Sequence, residues 1–303
     1  MKIIESLGPI LQQATNIRIN LKKINAFVGS FDKKKLIHWS SASPFNFSQL
    51  EDEHKASFLF VFNAISFSYW GEPKWAIDNQ YERGTFNMIA ALSRAKEKGI
   101  PILKSTYLAE LTHLEDVLRG TGRIPLLEER ERILREVGLI ISEKYQGSFL
   151  NFVAKAQGDA VDLTKRIVEE FPSFYDSSSY QGREIIFHKR AQLLASDLAH
   201  EFRFRKTEAL TACADYILPL VLRHKGILEY DANLAFKVDH QIEIPKGSKE
   251  EIEIRASTLA TIELIKKKLR SNITAMELND YFWLAGDQVP KEQPYHLTRT
   301  TAY

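Results

Sequence analysis

The eleven residues ACADYILPLVL, Ala212 to Leu222, place an aspartate and a proline inside an apolar run. In an unbroken α-helix the N–H of residue 219 would donate to the carbonyl of Asp215, but Pro219 has no N–H and its ring crowds that carbonyl. Proline also disfavours helical torsion angles at the residue before it. We therefore predict one helix from Thr207 to Ile217 and a second from about Pro219 to Gly226. Asp215 then lies in the last turn before the junction.

The carboxylate of Asp215 needs a physical reason for standing in such a run. An isolated carboxylate removed from water costs several kcal/mol unless it is paired or protonated. The N–H groups and the dipole at the start of the next helix would favour its ionised form. Two interpretations stay open from the residues alone: Asp215 is a reactive group, or it only fixes two helices at an angle.

Helical spacing of apolar residues recurs along the chain, whereas strand alternation is scarce. From Arg83 to Lys98 the apolar positions follow a helical period and end before Gly99 and Pro101. Ser57 to Phe62 and His240 to Ile244 are short strand candidates. The sequence predicts an all-α fold with at most a marginal small sheet. The same reasoning predicts further helices at Leu126 to Glu143, Phe149 to Lys155, Ala160 to Phe171, Phe187 to Phe204, Glu250 to Arg270 and Met276 to Ala285.

Loops are predicted where turn-forming residues cluster, at Pro172 to Gly182 and at Pro245 to Ser248. No internal repeat divides the chain. We predict one helical domain over residues 1–303, with the possibility of two lobes that meet near residue 120: an N-terminal lobe, 1–120, and a C-terminal lobe, 121–303.

Composition limits the possible functions. The chain has 303 residues, of which 44% are hydrophobic and 26% charged, with a net charge of +2. These values are typical of a globular protein with a sizeable core, and the mixed charges argue against a surface that follows the phosphates of a nucleic acid. The single Cys213 excludes an internal disulfide and a cysteine-rich zinc site.

The chain lacks a glycine-rich phosphate loop, an HExxH motif and a GxSxG motif. We expect neither a metal nor a cofactor. No apolar stretch approaches the ~18 residues that span a bilayer, and Glu5 and Gln12 interrupt the N-terminal apolar run. We expect no association with membranes and a cytoplasmic location.

Two further stretches carry polar residues that chemistry can use. HKRAQLLASDLAH, His188 to His200, places Lys189 and His200 on one helical stripe and Asp197 on another, an arrangement also found on ordinary solvated helices. ISFSYWGEPKW, Ile65 to Trp75, is dense in aromatic side chains. Such aromatics belong either to the core or to a pocket for a planar base, and both interpretations stay open.

Eight motifs in order carry a resemblance: FSYWGEPKW, GIPIL, PLLEERERIL, GSFLNFV, EEFPSFYD, FHKRAQLLASDL, ADYILP and EIEIRASTLATIELI. Together they resemble the queuosine salvage protein family, whose members release queuine from queuosine 5'-phosphate. The resemblance runs from about Phe60 to Trp283, with a weaker echo in YHLTRTTAY. It implies a largely helical fold akin to helix-hairpin-helix DNA glycosylases and hydrolysis of an N-glycosidic bond without a metal.

The family's functional pair, carried over by motif, falls on Asp215 and Lys189. Cleavage of an N-glycosidic bond builds positive charge on the sugar, and an ionised carboxylate stabilises that charge or orients the attacking water. We expect Asp215 to take this role and Lys189 to meet either the 5'-phosphate or charge on the leaving base. Phe67 and Trp70 are the expected walls against the deazaguanine ring.

The remaining candidates concern binding. The family tends to carry an acidic residue and an asparagine where this chain has Asn63 and Ser66, so these two residues are candidates for contact with the substrate, as is Asp197. Glu253 and Arg255, in EIEIRAS, are expected to bind polar edges of the base or to pair with each other. The expected partner is a small nucleotide, and no direct binding of tRNA or DNA is expected. The alternatives are a nucleic-acid glycosylase or binding protein and a catalytically inactive helical scaffold.

Overall fold

Most of the chain is helical in the structure, a computed structural model that describes residues 3–47, 49–77 and 81–303. The helices are α1 (Ile3–Ser6), α2 (Gly8–Gln13), α3 (Leu21–Gly29), α4 (Asp52–Ala64), α5 (Gly84–Glu97), α6 (Ser105–Ala109), α7 (Leu114–Val117), α8 (Leu127–Lys144), α9 (Phe149–Ala154), α10 (Ala160–Glu170), α11 (Lys189–Phe202), α12 (Ile217–His224), α13 (Ala232–Asp239), α14 (Lys249–Leu269) and α15 (Ala275–Leu284). The strands are β1 (Ile17–Ile19), β2 (Ser177–Tyr180), β3 (Arg183–Ile186) and β4 (Leu228–Tyr230). The mainly helical fold is confirmed.

The helices predicted from apolar spacing occur within two residues of their predicted ends in α5, α8, α9, α10, α11, α14 and α15. Side-chain caps account for several sharp starts. Asp159 accepts hydrogen bonds from two N–H groups at the start of α10, and Ser248 accepts one at the start of α14. At α15, Thr274 and Glu277 form a reciprocal capping box. Each cap satisfies N–H groups that the helix itself leaves unpaired.

Both strand candidates are wrong. Residues 57–62 lie inside α4, where every residue from Ala56 to Ala64 is buried. A helix buried on all sides shows no helical period in its apolar residues, so the pattern could not separate it from a buried strand. Residues 240–244 follow α13 without forming a strand.

The strands form two small antiparallel pairs among the described residues. β1 pairs with β4, with Ile17 opposite Tyr230, and so joins the N-terminal part of the chain to the segment after α12. β2 pairs with β3, with Ser177 opposite Ile186. This hairpin occupies part of the stretch predicted as a loop, and Gly182 turns the chain there with φ of +75°.

The predicted helix from Thr207 to Ile217 is wrong, and this stretch includes Asp215. Residues 207–209 form a single 3-10 turn, residues 210–215 are without regular structure, and α12 begins at Ile217. Leu218 is helical although a proline follows it. Because Pro219 lies within the first turn of α12, its missing N–H has no intrahelical partner to lose.

The buried apolar side chains form two large clusters. The first gathers residues between Trp39 and Leu198 around α4, and the second joins residues 3–24 to residues 180–285 around α14. The second cluster draws on residues from both sides of position 120, and the division into two lobes stays a prediction. Trp283 packs against both clusters.

None of the helices among the described residues combines the length and the apolar character that crossing a bilayer requires.

Candidate active site

A cavity of about 630 Å³ opens where the two apolar clusters meet. Phe67 and Tyr69 line it from the first cluster, and residues of the 213–217 segment and of α15 line it from the other side. Its volume lies within the range of pockets that hold small organic ligands. A residue singled out from the sequence can contact a ligand in this cavity only if its side chain lines it.

Asp215 lies in the wall of this cavity and is only 8% exposed. Its Oδ1 accepts hydrogen bonds from the N–H groups of Ile217 at 2.9 Å and Leu218 at 3.0 Å. Tyr216 already has helical torsion angles, φ −89° and ψ −13°, so Asp215 acts as the side-chain cap of α12. Among the described residues no hydrogen bond reaches Oδ2 of Asp215, which leaves that oxygen for a ligand.

The protonation of Asp215 reflects opposing effects. Burial raises the pKa of this carboxyl above its ordinary value, and the charge of Lys189 and the N–H groups of Leu218 and Ile217 oppose that rise. The ionised form is thus costly but specifically supported. Such a balance is typical of carboxyl groups at functional sites.

Lys189 is the first residue of α11 and lines the same cavity, with 7% of its surface exposed. Its charge opposes the rise that burial causes in the pKa of both Asp215 and Asp197. Cys213 also lies here, with its Sγ 3.5 Å from the carbonyl of Lys189. Burial raises the pKa of the Cys213 thiol, which keeps the thiol neutral and unsuited to nucleophilic attack.

Two further carboxyl groups, those of Asp280 and Asp197, lie near this wall. Asp280 lines the cavity, and Asp197 is buried behind it. Trp39 links the two: its backbone N–H donates to Asp280 at 3.1 Å and its indole N–H donates to Asp197 at 2.7 Å. Nε2 of His38 is 3.8 Å from Asp197 and 3.9 Å from Asp280. Burial raises the pKa of Asp197 to about 6 and that of Asp280 to about 7.

Aromatic side chains supply flat walls. The ring of Phe67 lies 4.1 Å from the guanidinium of Arg130. The same guanidinium donates to the carbonyl of Phe67, so Arg130 holds both the ring and the backbone of this residue. Tyr69 donates its hydroxyl to Ser66 at 3.0 Å. At the opposite wall the ring of Trp283 lies 3.8 Å from the guanidinium of Arg83. These rings suit a planar ligand.

Four of the nine predicted site residues line the cavity, and five do not. Asp215, Lys189, Phe67 and Ser66 line it. Trp70 lies away from it, with its ring 5.0 Å from the guanidinium of Arg299, because the turn at residues 68–71 directs Phe67 and Trp70 to different surroundings. The placement of Trp70 therefore does not support its predicted role as a wall.

Asn63 and Asp197 also lie outside the cavity lining, but they support it. The side-chain amide of Asn63 donates to Asp197 Oδ2 at 2.9 Å and to the carbonyl of Leu59 at 3.0 Å. With the bond from Trp39, each oxygen of Asp197 accepts one hydrogen bond. These bonds fix the carboxyl group beside the cavity, whose lining does not include Asp197.

Glu253 and Arg255 neither line the cavity nor pair with each other. Glu253 accepts hydrogen bonds from the N–H groups of Thr15 and Asn16 and from the hydroxyl of Tyr180, and so fastens the N-terminal segment to α14. Arg255 forms a two-point ion pair with Asp176. Neighbours on one helix that are two residues apart face different directions, which explains their separate partners.

Sequence reasoning missed several residues that line the cavity, Asp280 and Trp283 among them. Asp280 had a detectable signal: in the predicted helix it shares a face with Met276, Trp283 and Leu284, so a carboxyl group stands among apolar side chains, as Asp215 does in its own run. Trp39 stands in a stretch with no periodic pattern and could not have been found.

The raised pKa of Asp280 predicts how the stability of the protein depends on pH. Because the pKa of Asp280 is about 7 in the folded protein and 3.8 for an ordinary aspartate, the folded state binds more protons between these values. The stabilisation is complete below pH ~4 and is lost as the pH rises through ~7. The wild-type protein should therefore lose about 2–3 kcal/mol of its free energy of unfolding between pH 5 and pH 8 through this group. We expect the Asp280→Asn variant to lack that loss, so its stability relative to the wild type should increase by the same amount. Urea denaturation at both pH values measures this difference, and an unchanged difference would contradict the assignment.

No group of three or more histidine, cysteine, aspartate or glutamate side chains among the described residues is arranged to hold a metal ion.

Comparison with known proteins matches residues 46–303 to a family described as queuosine salvage protein. A protein of Sphaerobacter thermophilus is 38% identical over 281 residues, which cover 88% of this chain and 84% of that protein. A Bos taurus protein is 34% identical, covering 83% of this chain and 82% of its own, and a Mus musculus protein is 33% identical, covering 83% of each. All three carry the name queuosine 5'-phosphate N-glycosylase/hydrolase.

Proposed function

The chain belongs to the queuosine salvage protein family, and on this basis we propose that it hydrolyses the N-glycosidic bond of queuosine 5'-phosphate and releases the base queuine. The relatives bear the name of this activity, and the chain spans more than four fifths of the three described above. The proposed enzyme is a hydrolase that acts on an N-glycosyl bond. The base that it releases can then enter tRNA modification.

The observation that carries the proposal is the carboxyl group of Asp215 in the cavity wall. Departure of the base leaves positive charge on the ribose ring, and an anion held close to the anomeric carbon lowers the energy of that state. One oxygen of Asp215 is fixed by two backbone N–H groups, so the other presents its charge without reorganisation. Asp215 therefore stabilises the charged sugar or orients the attacking water.

Lys189 acts on Asp215 through charge in this proposal. Its side chain lies in the same buried wall, and its ammonium opposes the rise in the pKa of Asp215 that burial causes. Without that cation the pKa of the buried carboxyl group would rise further, so a smaller fraction of Asp215 would carry the charge that stabilises the transition state. Phe67 is proposed as the wall against the deazaguanine ring, where stacking contributes about 1–3 kcal/mol.

A free nucleotide, and not tRNA, is the proposed substrate. The net charge of +2 comes from mixed positive and negative residues, whereas neutralising many phosphates requires a basic surface. A likeness to helix-hairpin-helix DNA glycosylases, a single helical domain and a cytoplasmic location remain proposals that fit this function. Asp215 and Lys189 in one cavity also argue against an inactive scaffold.

The test compares substrates. The purified protein is incubated with queuosine 5'-phosphate, with queuosine and with intact queuosine-containing tRNA, and free queuine is measured by mass spectrometry. We expect release from the mononucleotide to exceed release from tRNA by orders of magnitude. Comparable release from tRNA would overturn the choice of substrate, and no release from any of the three would overturn the activity.

A further inference from the structure

A buried ion pair lies behind the cavity and contacts the backbone of two segments that line it. Arg255 of α14 donates to Asp176 through Nη1 at 2.9 Å and through Nη2 at 2.5 Å. Both residues are buried, with 1% of Arg255 and 7% of Asp176 exposed. Glu251 adds a second carboxyl group 3.6 Å from the same guanidinium. Such two-point pairing fixes distance and orientation together.

Asp176 holds the start of α11. Its Oδ2 accepts the backbone N–H of Lys189 at 3.1 Å, and its carbonyl accepts the N–H groups of Phe187 and His188 at 3.0 Å each. His188 takes a left-handed conformation, φ 47°, which a residue with a side chain rarely adopts without such restraint. The direction in which Lys189 leaves the backbone therefore depends on Asp176.

Arg255 holds the segment that carries Asp215. Its Nε donates to the carbonyl of Ala214, the residue before Asp215, at 3.3 Å. Its guanidinium also lies 3.9 Å from the ring of Phe187 and 4.7 Å from the ring of Tyr303, which lines the cavity. Residues 210–215 lack regular structure, so side-chain bonds of this kind replace the missing helix or sheet bonds.

The energetics favour a geometric role for the pair. Burial alone would raise the pKa of Asp176, but the charge and hydrogen bonds of Arg255 and the N–H of Lys189 lower it, so the pair stays ionised. Buried ion pairs add little net stability compared with apolar residues of similar volume, because both charges lose their hydration. Their directional bonds nevertheless fix the groups that they touch.

We propose that Asp176 and Arg255 are positioning residues for the glycosidic step, because their ion pair joins the backbone of Lys189 to the backbone of Ala214 and so sets the separation of Lys189 from Asp215. The inference rests on the proposed function. Neither residue contacts the substrate; each acts through the two cavity residues that the pair connects.

The test uses Arg255→Lys and Asp176→Asn in the full chain. A shift of about 1 Å in a reacting group is enough to slow catalysis by about two powers of ten. We expect kcat per folded molecule to fall about 10- to 100-fold, with KM changed less than about threefold because the aromatic walls are untouched. Glu53→Gln is the matched control, since Glu53 likewise accepts N–H groups at a helix start, that of α9, but lies away from the cavity. It should keep the wild-type kcat.

Non-additivity separates positioning from a structural role. If the pair acts through Asp215, Arg255→Lys should cause less than about a twofold further loss of turnover when Asp215 is already Asn. A purely structural effect would lower the folded fraction and leave kcat per folded molecule near that of the wild type. Either that result or the full loss repeated in the Asp215→Asn background would overturn the proposal.

Two further measurements test the positioning role if a variant does not fold or if no substrate is turned over. If Asp176→Asn fails to fold, the neutral triple variant Asp176→Asn, Glu251→Gln and Arg255→Gln leaves no unpaired charge in this cluster, and it should fold and show the same loss of kcat. The pKa of Asp215, measured by carbon NMR, reports its distance from Lys189 without any substrate. It should rise in Arg255→Lys, and an unchanged pKa would count against positioning. If the wild-type protein releases no queuine and the Arg255→Lys variant still shows this rise, only the proposed function is contradicted.

Discussion

The Asp215→Asn variant is expected to lose turnover of queuosine 5'-phosphate by a factor of about 100 or more while it stays folded and binds the nucleotide. Asparagine keeps the size of the side chain and removes its charge. The ground state of the substrate carries no positive charge on the ribose, but the transition state does, so kcat should fall far more than binding. Single-turnover assays at saturating nucleotide and calorimetric titration measure the two quantities.

Stability provides the control for this variant. Asparagine retains an oxygen that can accept the N–H groups of Ile217 and Leu218, so the cap of α12 survives. Because burial raises the pKa of Asp215, removal of the ionised group should leave the melting temperature at pH 7.5 unchanged or higher. Asp215→Ala, which lacks the acceptor, should lose about 1 kcal/mol. Turnover of Asp215→Asn within tenfold of the wild type would refute the catalytic assignment and leave only the cap.

The Lys189→Met variant should lose activity in a manner that depends on pH. Methionine fills a similar volume but removes the cation that opposes the raised pKa of Asp215. Activity requires the ionised carboxylate, so it increases as the pH rises through this pKa, and the acidic limb of kcat/KM should move to higher pH. At a pH below its pKa, a carboxyl group loses about tenfold of its ionised fraction for each unit by which that pKa rises, so the loss in Lys189→Met should be greater at pH 6 than at pH 9.

Two variants serve as controls for Lys189→Met. Lys189→Arg keeps the charge and should leave the acidic limb near its wild-type position. Lys237→Met removes a lysine that pairs with Glu250 at the surface of α13, and it should change nothing in the profile. If Lys189→Met lowers activity by the same factor at pH 6 and pH 9, Lys189 acts on the substrate directly and not through Asp215.

The sequence predicted the longer helices because their apolar period and their capping residues are local properties of the chain. The same local reasoning misassigned residues 207–217. Pro219 correctly signalled a junction, but the residues before it could as well be irregular, and long-range bonds decide that. Arg255 binds the carbonyl of Ala214 from α14, and Asn279 accepts the N–H of Cys213 from α15. Neither contact leaves a trace in the local sequence.

The candidate site divides in the same way. A family motif pointed to both Asp215 and Lys189, and the rarity of buried carboxylates pointed to Asp215 as well. The structure brings both side chains to one cavity. Trp70 and Phe67 are indistinguishable by composition, and only the backbone turn between them decides which ring faces the cavity. Arg255 was expected to bind the base or to pair with Glu253, but its partner Asp176 is 79 residues away along the chain.

Catalysis by Asp215 can be tested at atomic level with a crystal structure of the Asp215→Asn variant soaked with queuosine 5'-phosphate. We predict the intact nucleotide in the cavity, with its base against Phe67 and its anomeric carbon, or the water that attacks it, within about 3.5 Å of the side chain of residue 215. A nucleotide bound in the cavity with its glycosidic bond far from residue 215, or bound outside the cavity, would contradict the assignment.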